Sequence, residues 1–348
     1  MSGIVLISDT HFDNRTGFGK HLTNPEFPGC NNRFHEIVKA FREATAYAIK
    51  NDCEAIVLLG DIFHSRGMIS IPIYNGVYSL FNEVSKQVPL IIYPGNHDYV
   101  DLKALHADKN LHSLFTYEKT VRLYDTASLV QLENFDLGII PFSPVKDDLL
   151  FNAIDLKKNL RKNKANMLCL HHSVAGAVTG PHEWKMPHEL QVNEIPEWDY
   201  IFSGHYHQHQ QIGNLWYVGA PLHHDLGERT YKPGFVHVFP NGSWKHIENK
   251  TSPRFVSLET DSHDLISKLD PSNYNVVKWT GEITEGDKLR LNENMVVNNK
   301  PSSSKIVSRT SISTTEDPEE MIKKYANAKI KNVEQDLIKY GIKLYKGE

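Results

Sequence analysis

The sequence predicts an α/β fold with a largely buried sheet, a second sheet of short strands, and a small C-terminal α+β region. Three observations predict it. Short apolar runs, β-branched or Leu-rich, recur along residues 3–203, and each ends in a cluster of Asp, Asn or His. An amphipathic segment separates the first two runs, so strand and helix alternate. Residues 212–247 then change character, into short strands joined by turns.

Runs of about 4–6 apolar residues bounded by Gly or Pro read as buried strands. The first, "GIVLIS" (3–8), leads to Asp9 and His11. "RFHEIVKAFREATAYAIKN" (33–51) places Phe34, Ile37, Val38, Phe41, Ala44 and Ala48 on one helical face. "EAIVLL" leads to Gly60, Asp61 and His64, and a second helix is expected over 72–86. "PLIIYP" leads to Gly95, Asn96, His97 and Asp98. A third helix is expected over 146–162; "NMLCL" then leads to His171 and His172, and "WDYIFS" to Gly204, His205 and His207. Ligands in α/β folds sit beyond the carboxyl ends of strands, where all these polar clusters lie.

"LWYVGAPL", "GFVHVFP" and "GSWKHI" look like antiparallel strands of the second sheet. "RFVSLET" and "YNVVKWTG" suggest the α+β appendage, and the polar stretch 298–320 an exposed strand or a linker. The last segment reads as a helix entered at Asp317-Pro318, with an interrupted apolar stripe from Met321 to Tyr340.

Composition narrows the class. Forty per cent hydrophobic residues excludes wholesale disorder. With a net charge of −4, attraction for nucleic acid would have to come from local patches or bound cations. Cys30, Cys53 and Cys169 are odd in number and in no CxxC pattern, so they read as reduced thiols of an intracellular, cytoplasmic protein. No apolar run suits a membrane span, and "GIVLIS" lacks the basic leader of a signal peptide. What stands out is 19 histidines, imidazole being the commonest neutral metal ligand.

A single Asp-x-His pair proves little, because such pairs commonly cap helices or close turns. The conjunction is informative: Asp9-x-His11, Gly60-Asp61-x-x-His64, Gly95-Asn96-His97-Asp98, His171-His172 and Gly204-His205-x-His207 occur in order, each at a predicted strand end. The glycines let the backbone turn sharply into a crowded site. Two cations about 3.5–4 Å apart need a bridging carboxylate and further N or O ligands. Carboxylate, imidazole and amide without thiolate suit manganese first, with magnesium, iron or zinc as alternatives.

The motifs "DTH", "GDIFH", "GNHD", "LHH" and "GHYH" resemble the signature blocks of the calcineurin-like metallophosphoesterases. His64 after "GDIF", and the later "YVGAPLHHDLGERTYKPGFVHV", resemble the Mre11/SbcD nuclease branch, in its short, phage-type form. The resemblance covers roughly residues 1–250. It implies a four-layer β-sandwich flanked by helices with a small capping region: a nuclease domain at 1–250, a capping domain or linker at 251–316 and a C-terminal helix at 317–348. It assigns one metal to Asp9, His11, Asp61 and His207 and the other to Asp61, Asn96, His171 and His205, Asp61 being the bridge. His171 is preferred over His172 because "HHSVAGA" resembles the branch's pattern. His97, oriented by Asp98, would stabilise the transition state and protonate the leaving oxygen. His64 would position the phosphodiester, with a surface or capping role as the bland alternative.

The resemblance further implies a manganese-dependent DNA exonuclease that also nicks single strands, in repair, recombination or replication. Hydroxide held between two metals would attack phosphorus in line. A homodimer and an SbcC/Rad50-type ATPase partner follow from the same resemblance. The alternatives are a phosphatase or cyclic-nucleotide phosphodiesterase of the same fold, and a non-catalytic scaffold. Arg15, Lys20 and Arg33 flank the first cluster, where a phosphate-backbone contact and a solvated loop are equally open. His223 and His224 are expected to be structural, and Asp225 and Glu228 to tie the second sheet together. Trp184, Trp198 and Trp216 are expected in core or edge packing. His209 is a bystander on the following strand.

Overall fold

The computed structural model describes residues 3–99, 121–180, 182–186, 190–281 and 294–299, with isolated positions (320, 322–323, 338–339, 342–343) near the C-terminus. The strands are β1 (Ile4–Ile7), β2 (Ala55–Leu59), β3 (Leu90–Tyr93), β4 (Val121–Leu123), β5 (Ser128–Gln131), β6 (Phe135–Ile140), β7 (Ala165–His171), β8 (Val178–Thr179), β9 (Trp184–Lys185), β10 (Tyr200–Gly204), β11 (Gln210–Ile212), β12 (Leu215–Tyr217), β13 (Gly234–Val238), β14 (Trp244–Glu248), β15 (Phe255–Thr260), β16 (Tyr274–Trp279) and β17 (Met295–Asn299). The α-helices are α1 (Asn32–Lys50), α2 (Ile71–Ser85), α3 (Lys146–Lys157) and the short α4 (His263–Ser267).

Two six-stranded sheets form the centre, ordered β14-β13-β1-β2-β3-β4 and β11-β12-β10-β7-β6-β5. β1 to β4 run parallel, with β13 and β14 added antiparallel at one edge. In the other sheet β6, β7, β10 and β12 are parallel, edged by antiparallel β5 and β11.

Period-two alternation sorts the apolar side chains of β1. Val5 and Ile7 face outward to a core shared with Phe34, Phe41 and Leu80 of α1 and α2, while Ile4 and Leu6 face a core shared with Leu137, Met167 and Phe202 of the second sheet. Leu168, Leu170 and Ile201 face a third core, closed by Leu149 and Ala153 of α3 and by Trp198. Helix, sheet, sheet and helix make four layers around three cores. At the junction of the sheets the buried Tyr93 hydroxyl donates to the Leu170 carbonyl at 2.8 Å.

Local chemistry sets the helix bounds. Asn31 caps α1, its side chain accepting from the Phe34 N–H at 3.2 Å, and Pro72 enters the first turn of α2. Helix α3 stops before the expected residue 162. Arg161 turns its guanidinium onto buried Asp136 at 2.7 Å and the carbonyls of Leu132 and Phe135, drawing the chain back to β6.

The strands expected to form a second sheet of their own do not. β13 and β14 extend the first sheet, β12 joins the second, and the five motif-bearing strands are split three and two between the sheets. Strands buried on both faces read as continuous apolar runs, which do not say which sheet they join. Trp198 is buried, as expected, but Trp184 is 65% exposed on β9.

β15, β16 and β17 make a separate three-stranded sheet. The chain divides into two compact units, one of residues 1–258, 268–276 and 291–296, the other of 259–267, 277–290 and 297–348. The C-terminal helix expected over 317–342 lies outside the described residues, save for isolated positions. Among the described residues no helix is long and apolar enough to cross a membrane, and the three cysteines are free thiols.

Tyr93→Phe deletes the inter-sheet hydrogen bond and nothing else. It should lower unfolding stability by about 1 kcal/mol, read from urea denaturation, with an unchanged m-value.

Candidate metal centre

The site forms where β1, β2, β3, β7 and β10 end side by side. Asp9 and His11 follow β1, and Asp61 follows β2. These exits stay paired beyond the ladder: the Asp9 N–H donates to the Gly60 carbonyl at 3.2 Å and the His11 N–H to the Asp61 carbonyl at 3.0 Å. Asp9, His11, Asp61 and His205 all adopt left-handed backbone, with φ of 51°, 45°, 51° and 95°. L-residues adopt it at a cost of roughly 1 kcal/mol or more, and it aims consecutive side chains inward instead of alternating them.

The glycines serve two needs. Gly60 itself has φ of +75°, as a sharp turn requires. Gly95 has ordinary backbone but lies where a Cβ would strike the Asp61 carboxylate and the His171 ring.

Around this floor the donors converge. Asp61 Oδ2 lies 3.5 Å from His11 Nε2 and Asp61 Oδ1 lies 3.3 Å from His171 Nε2, so its two oxygens face two different imidazoles. His11 Nε2 and His207 Nε2 are 3.0 Å apart, and His207 Nε2 is 4.0 Å from Asp9 Oδ1. Asn96 Oδ1 lies 3.1 Å from His171 Nε2 and 2.8 Å from His205 Nδ1. The donor atoms of Asp9, His11 and His207 lie within 4.8 Å of one another, as do those of Asp9, Asp61 and His171. All seven residues expected as ligands therefore meet at one place, and Asp61 stands between the two groups.

Hydrogen bonds orient the rings. His171 Nδ1 donates to the Leu59 carbonyl at 2.7 Å and His207 Nδ1 to Glu228 Oε1 at 2.5 Å, each turning Nε2 toward the carboxylates. Such outer partners fix tautomer and raise ligand basicity. Glu228 also accepts the His224 N–H at 2.7 Å, and His224 Nε2 donates to the Asp9 carbonyl at 2.8 Å. Asp9 accepts from the Ser8 hydroxyl and from the His205 N–H at 3.0 Å.

The electrostatics show what the site lacks without cations. Burial raises the Asp9 carboxyl, the nearby Asp61 adding to it, although imidazoles oppose both. Burial also opposes ionisation of Asp61, but His171, His11 and His97 together hold it well below the usual carboxylate range. Burial should depress His171 and His207, yet Asp61 raises the first to about 9 and Glu228 the second to about 9. Burial wins at His205, down to about 3, and at His11, far below its ordinary value. Protons on two rings thus stand where positive charge is needed. Oxygen and imidazole donors, with the Nε2 atoms of His11 and His207 facing each other at 3.0 Å, fit divalent cations.

A cavity of about 220 Å³ opens over this floor, its rim carrying Arg15, His64, His97, His224 and Asp225. His97 Nδ1 donates to the His64 carbonyl at 2.6 Å, and its N–H donates to Asp61 Oδ1 at 2.8 Å. The expected orientation of His97 by Asp98 is therefore corrected. Asp98 accepts instead from the N–H groups of Ile62 (3.1 Å), Phe63 (3.0 Å) and Gly95 (2.9 Å), binding the loops after β2 and β3 together. Burial and then Asp61 push its carboxyl up to about 7. Arg15 donates to His64 Nδ1 at 3.3 Å. His172 turns away from the ligand cluster, its Nδ1 on the Ser173 carbonyl at 3.0 Å.

Other residues take roles their sequence positions did not reveal. Arg33 is buried in α1, donating to the His223 and His224 carbonyls at 3.2 and 3.1 Å, and so cannot reach a phosphate backbone. Lys20 donates to Asn294 Oδ1 at 2.7 Å. Glu228 and His224 support the ligands; the one signal was their place in "HHDLGE", within the stretch resembling the nuclease branch. His209 donates to the Tyr217 carbonyl at 2.7 Å and stacks on His246, away from the ligands.

Residues 3–209 match the model of the calcineurin-like phosphoesterases, and the chain belongs to that family. The family works with a dinuclear metal site, for which the residues above are the candidate ligands. Exonuclease subunit 1 of Enterobacteria phage T4 is 21% identical over 257 residues, 72% of this chain and 71% of that protein. The DNA double-strand break repair protein Mre11 of Archaeoglobus fulgidus is 26% identical over 249 residues, 66% of this chain but only 55% of the relative. Among solved structures, a dimetal phosphatase from Danio rerio aligns with a TM-score of 0.42 at 11% identity, covering 68% of this chain and 92% of that one.

Two outcomes follow. His171 and His207 are raised above the ordinary 6.5 to about 9, so the metal-free chain is stabilised by both imidazoliums below about pH 6.5 and loses that stability as pH rises through about 9. Melting in chelator should fall across this window, whereas metal loading at pH 7 should release about two protons, measured calorimetrically in buffers of different ionisation enthalpy. Glu228→Gln should weaken manganese binding by about 10–100-fold, and should lower the melting of the chelated protein at pH 7 more than at pH 10, where His207 is neutral with or without its partner.

Proposed function

We propose that this chain is a manganese-dependent phosphodiesterase that cuts DNA, in the manner of the Mre11/SbcD nucleases. The observation that carries the reading is the pair His64 and His97, which lies beside His11 at the mouth of the cavity, additional to the seven candidate ligands. A purely structural metal site has no use for such a pair.

Two divalent cations held by Asp9, His11, Asp61, Asn96, His171, His205 and His207 would supply a nucleophile at neutral pH and neutralise charge developing at phosphorus. The protein does the rest. Asp61 presents one oxygen to each half of the site. His97, its Nδ1 proton held on the His64 carbonyl, has Nε2 free to carry a second proton as imidazolium and give it to the leaving oxygen, returning to the neutral ring. Arg15 donates to His64 Nδ1, so the His64 proton resides on Nε2, where it binds a phosphate oxygen. Arg15 adds positive charge at the same rim.

The phage T4 exonuclease subunit and the archaeal break-repair protein, each aligned over some 250 residues, support a DNA substrate. An ATPase partner, a homodimer and a role in DNA repair or recombination belong to the same proposal. One observation favours a small-molecule phosphatase or phosphodiesterase instead: of the three basic residues flanking the first cluster, Arg33 and Lys20 are engaged within the protein and only Arg15 lines the cavity.

The deciding assay incubates the purified chain with Mn²⁺ and end-labelled duplex and single-stranded DNA. DNA should be degraded, and His97→Ala should slow cleavage by about 10²–10⁴-fold with its manganese content unchanged. Intact DNA beside rapid turnover of p-nitrophenyl phosphate or cyclic nucleotides would reverse the ranking.

A further inference from the structure

A second cavity, of about 430 Å³, adjoins the metal centre and shares His205, His207 and Asp225 with it. It is within the size range of pockets that take small organic ligands. Thr179, Gly180 and Met186, from the β8–β9 hairpin and its flank, form another part of its wall, with Tyr231.

This hairpin is rigidly placed. The Gln210 side chain brackets Val178, its Oε1 accepting the N–H at 2.8 Å and its Nε2 donating to the carbonyl at 2.9 Å. The Tyr231 hydroxyl accepts the Gly180 N–H at 2.6 Å, and the Met186 N–H donates to the Ala177 carbonyl at 2.8 Å. On this fixed support Trp184 leaves 65% of its surface in water, with the His182 ring 6.0 Å away. Trp184 pairs directly with Thr179, and opposed residues of an antiparallel ladder share a face. The indole therefore stands on the face that carries the cavity-lining threonine.

An exposed indole, carried on a hydrogen-bonded hairpin whose Thr179, Gly180 and Met186 line a cavity that runs into a phosphoester site, matches the needs of one ligand group. We propose that Trp184 is a positioning residue on which an unpaired nucleobase stacks while the adjoining phosphate enters the metal centre. The substrate class is then a single-stranded or locally unpaired strand, and recognition tolerates any base because every base has a flat π face. The inference rests on the nuclease reading, and adds to it the element that distinguishes an unpaired strand from an intact duplex.

The test uses the manganese-loaded chain and three substrates: an oligothymidylate, an abasic oligonucleotide of equal length, and bis(p-nitrophenyl) phosphate. The wild type should show a KM about tenfold lower for the oligothymidylate than for the abasic strand. Trp184→Ala should erase that difference through KM, leaving kcat and bis(p-nitrophenyl) phosphate turnover unchanged, and Trp184→Phe should retain most of it. Cleavage of both strands with a base preference that survives in Trp184→Ala would overturn the assignment while sparing the nuclease reading. Turnover of bis(p-nitrophenyl) phosphate without cleavage of either strand would overturn both. If Trp184→Ala instead changed only the sedimentation mass, the face would belong to a second copy of the chain, and the proposal would fall.

Discussion

The structure depends on the meeting of two buried carboxylates at the end of the β1–β2 seam. Asp9 and Asp61 are brought together because their strands remain hydrogen-bonded beyond the regular ladder, through Asp9 to Gly60 and His11 to Asp61. Left-handed backbone at Asp9, His11 and Asp61 turns their side chains to the same side. Buried like charges are costly unless cations lie among them. The neighbouring elements answer that cost: β7 and β10 deliver imidazoles, β3 delivers an amide oxygen, and among the described residues no thiolate joins the candidate ligand groups. A phosphoester is drawn to such a place because cations that neutralise the carboxylates retain positive charge for it.

Much of this arrangement was legible before any coordinates. Apolar runs ending in Asp, Asn or His announce strands whose carboxyl ends are polar, and the motifs' resemblance to the family brought all seven candidate ligands to one list. The helices were legible from their faces, as at Phe34, Ile37 and Phe41 of α1. Sheet membership was not. β1 and β7 are each covered on both faces, so neither shows the alternation that would mark its layer. The edge strands β4, β5 and β11 are short and mixed in character, which hid them. Support residues were the least legible. Glu228 lies 21 positions from the His207 it orients, and Arg33 lies 190 positions from the carbonyl it holds. Only folding makes such pairs neighbours.

Arg33 also shows why a basic residue in a polar loop is a weak sign of nucleic-acid contact. Its guanidinium lies 4.5 Å from the centre of the Tyr274 ring and 5.2 Å from that of Phe255, while its N–H groups hold the carbonyls beside His224. Through His224 that anchorage extends to the Asp9 backbone. A charge that sequence reasoning offered to the substrate is spent on keeping a metal ligand still.

Asp98 gives the centre a property that the ligands alone would lack. By joining Ile62, Phe63 and Gly95, it makes the loops after β2 and β3 a single rigid body on which both Asp61 and Asn96 are mounted. The spacing of the Asp61 and Asn96 side chains, which would hold the cations, then rests on backbone as well as on side-chain rotamers. Were two cations held there, one of the wrong radius would strain the donors of both positions. Ionic size would then be a criterion of selection in a donor set whose chemistry alone would accept several metals.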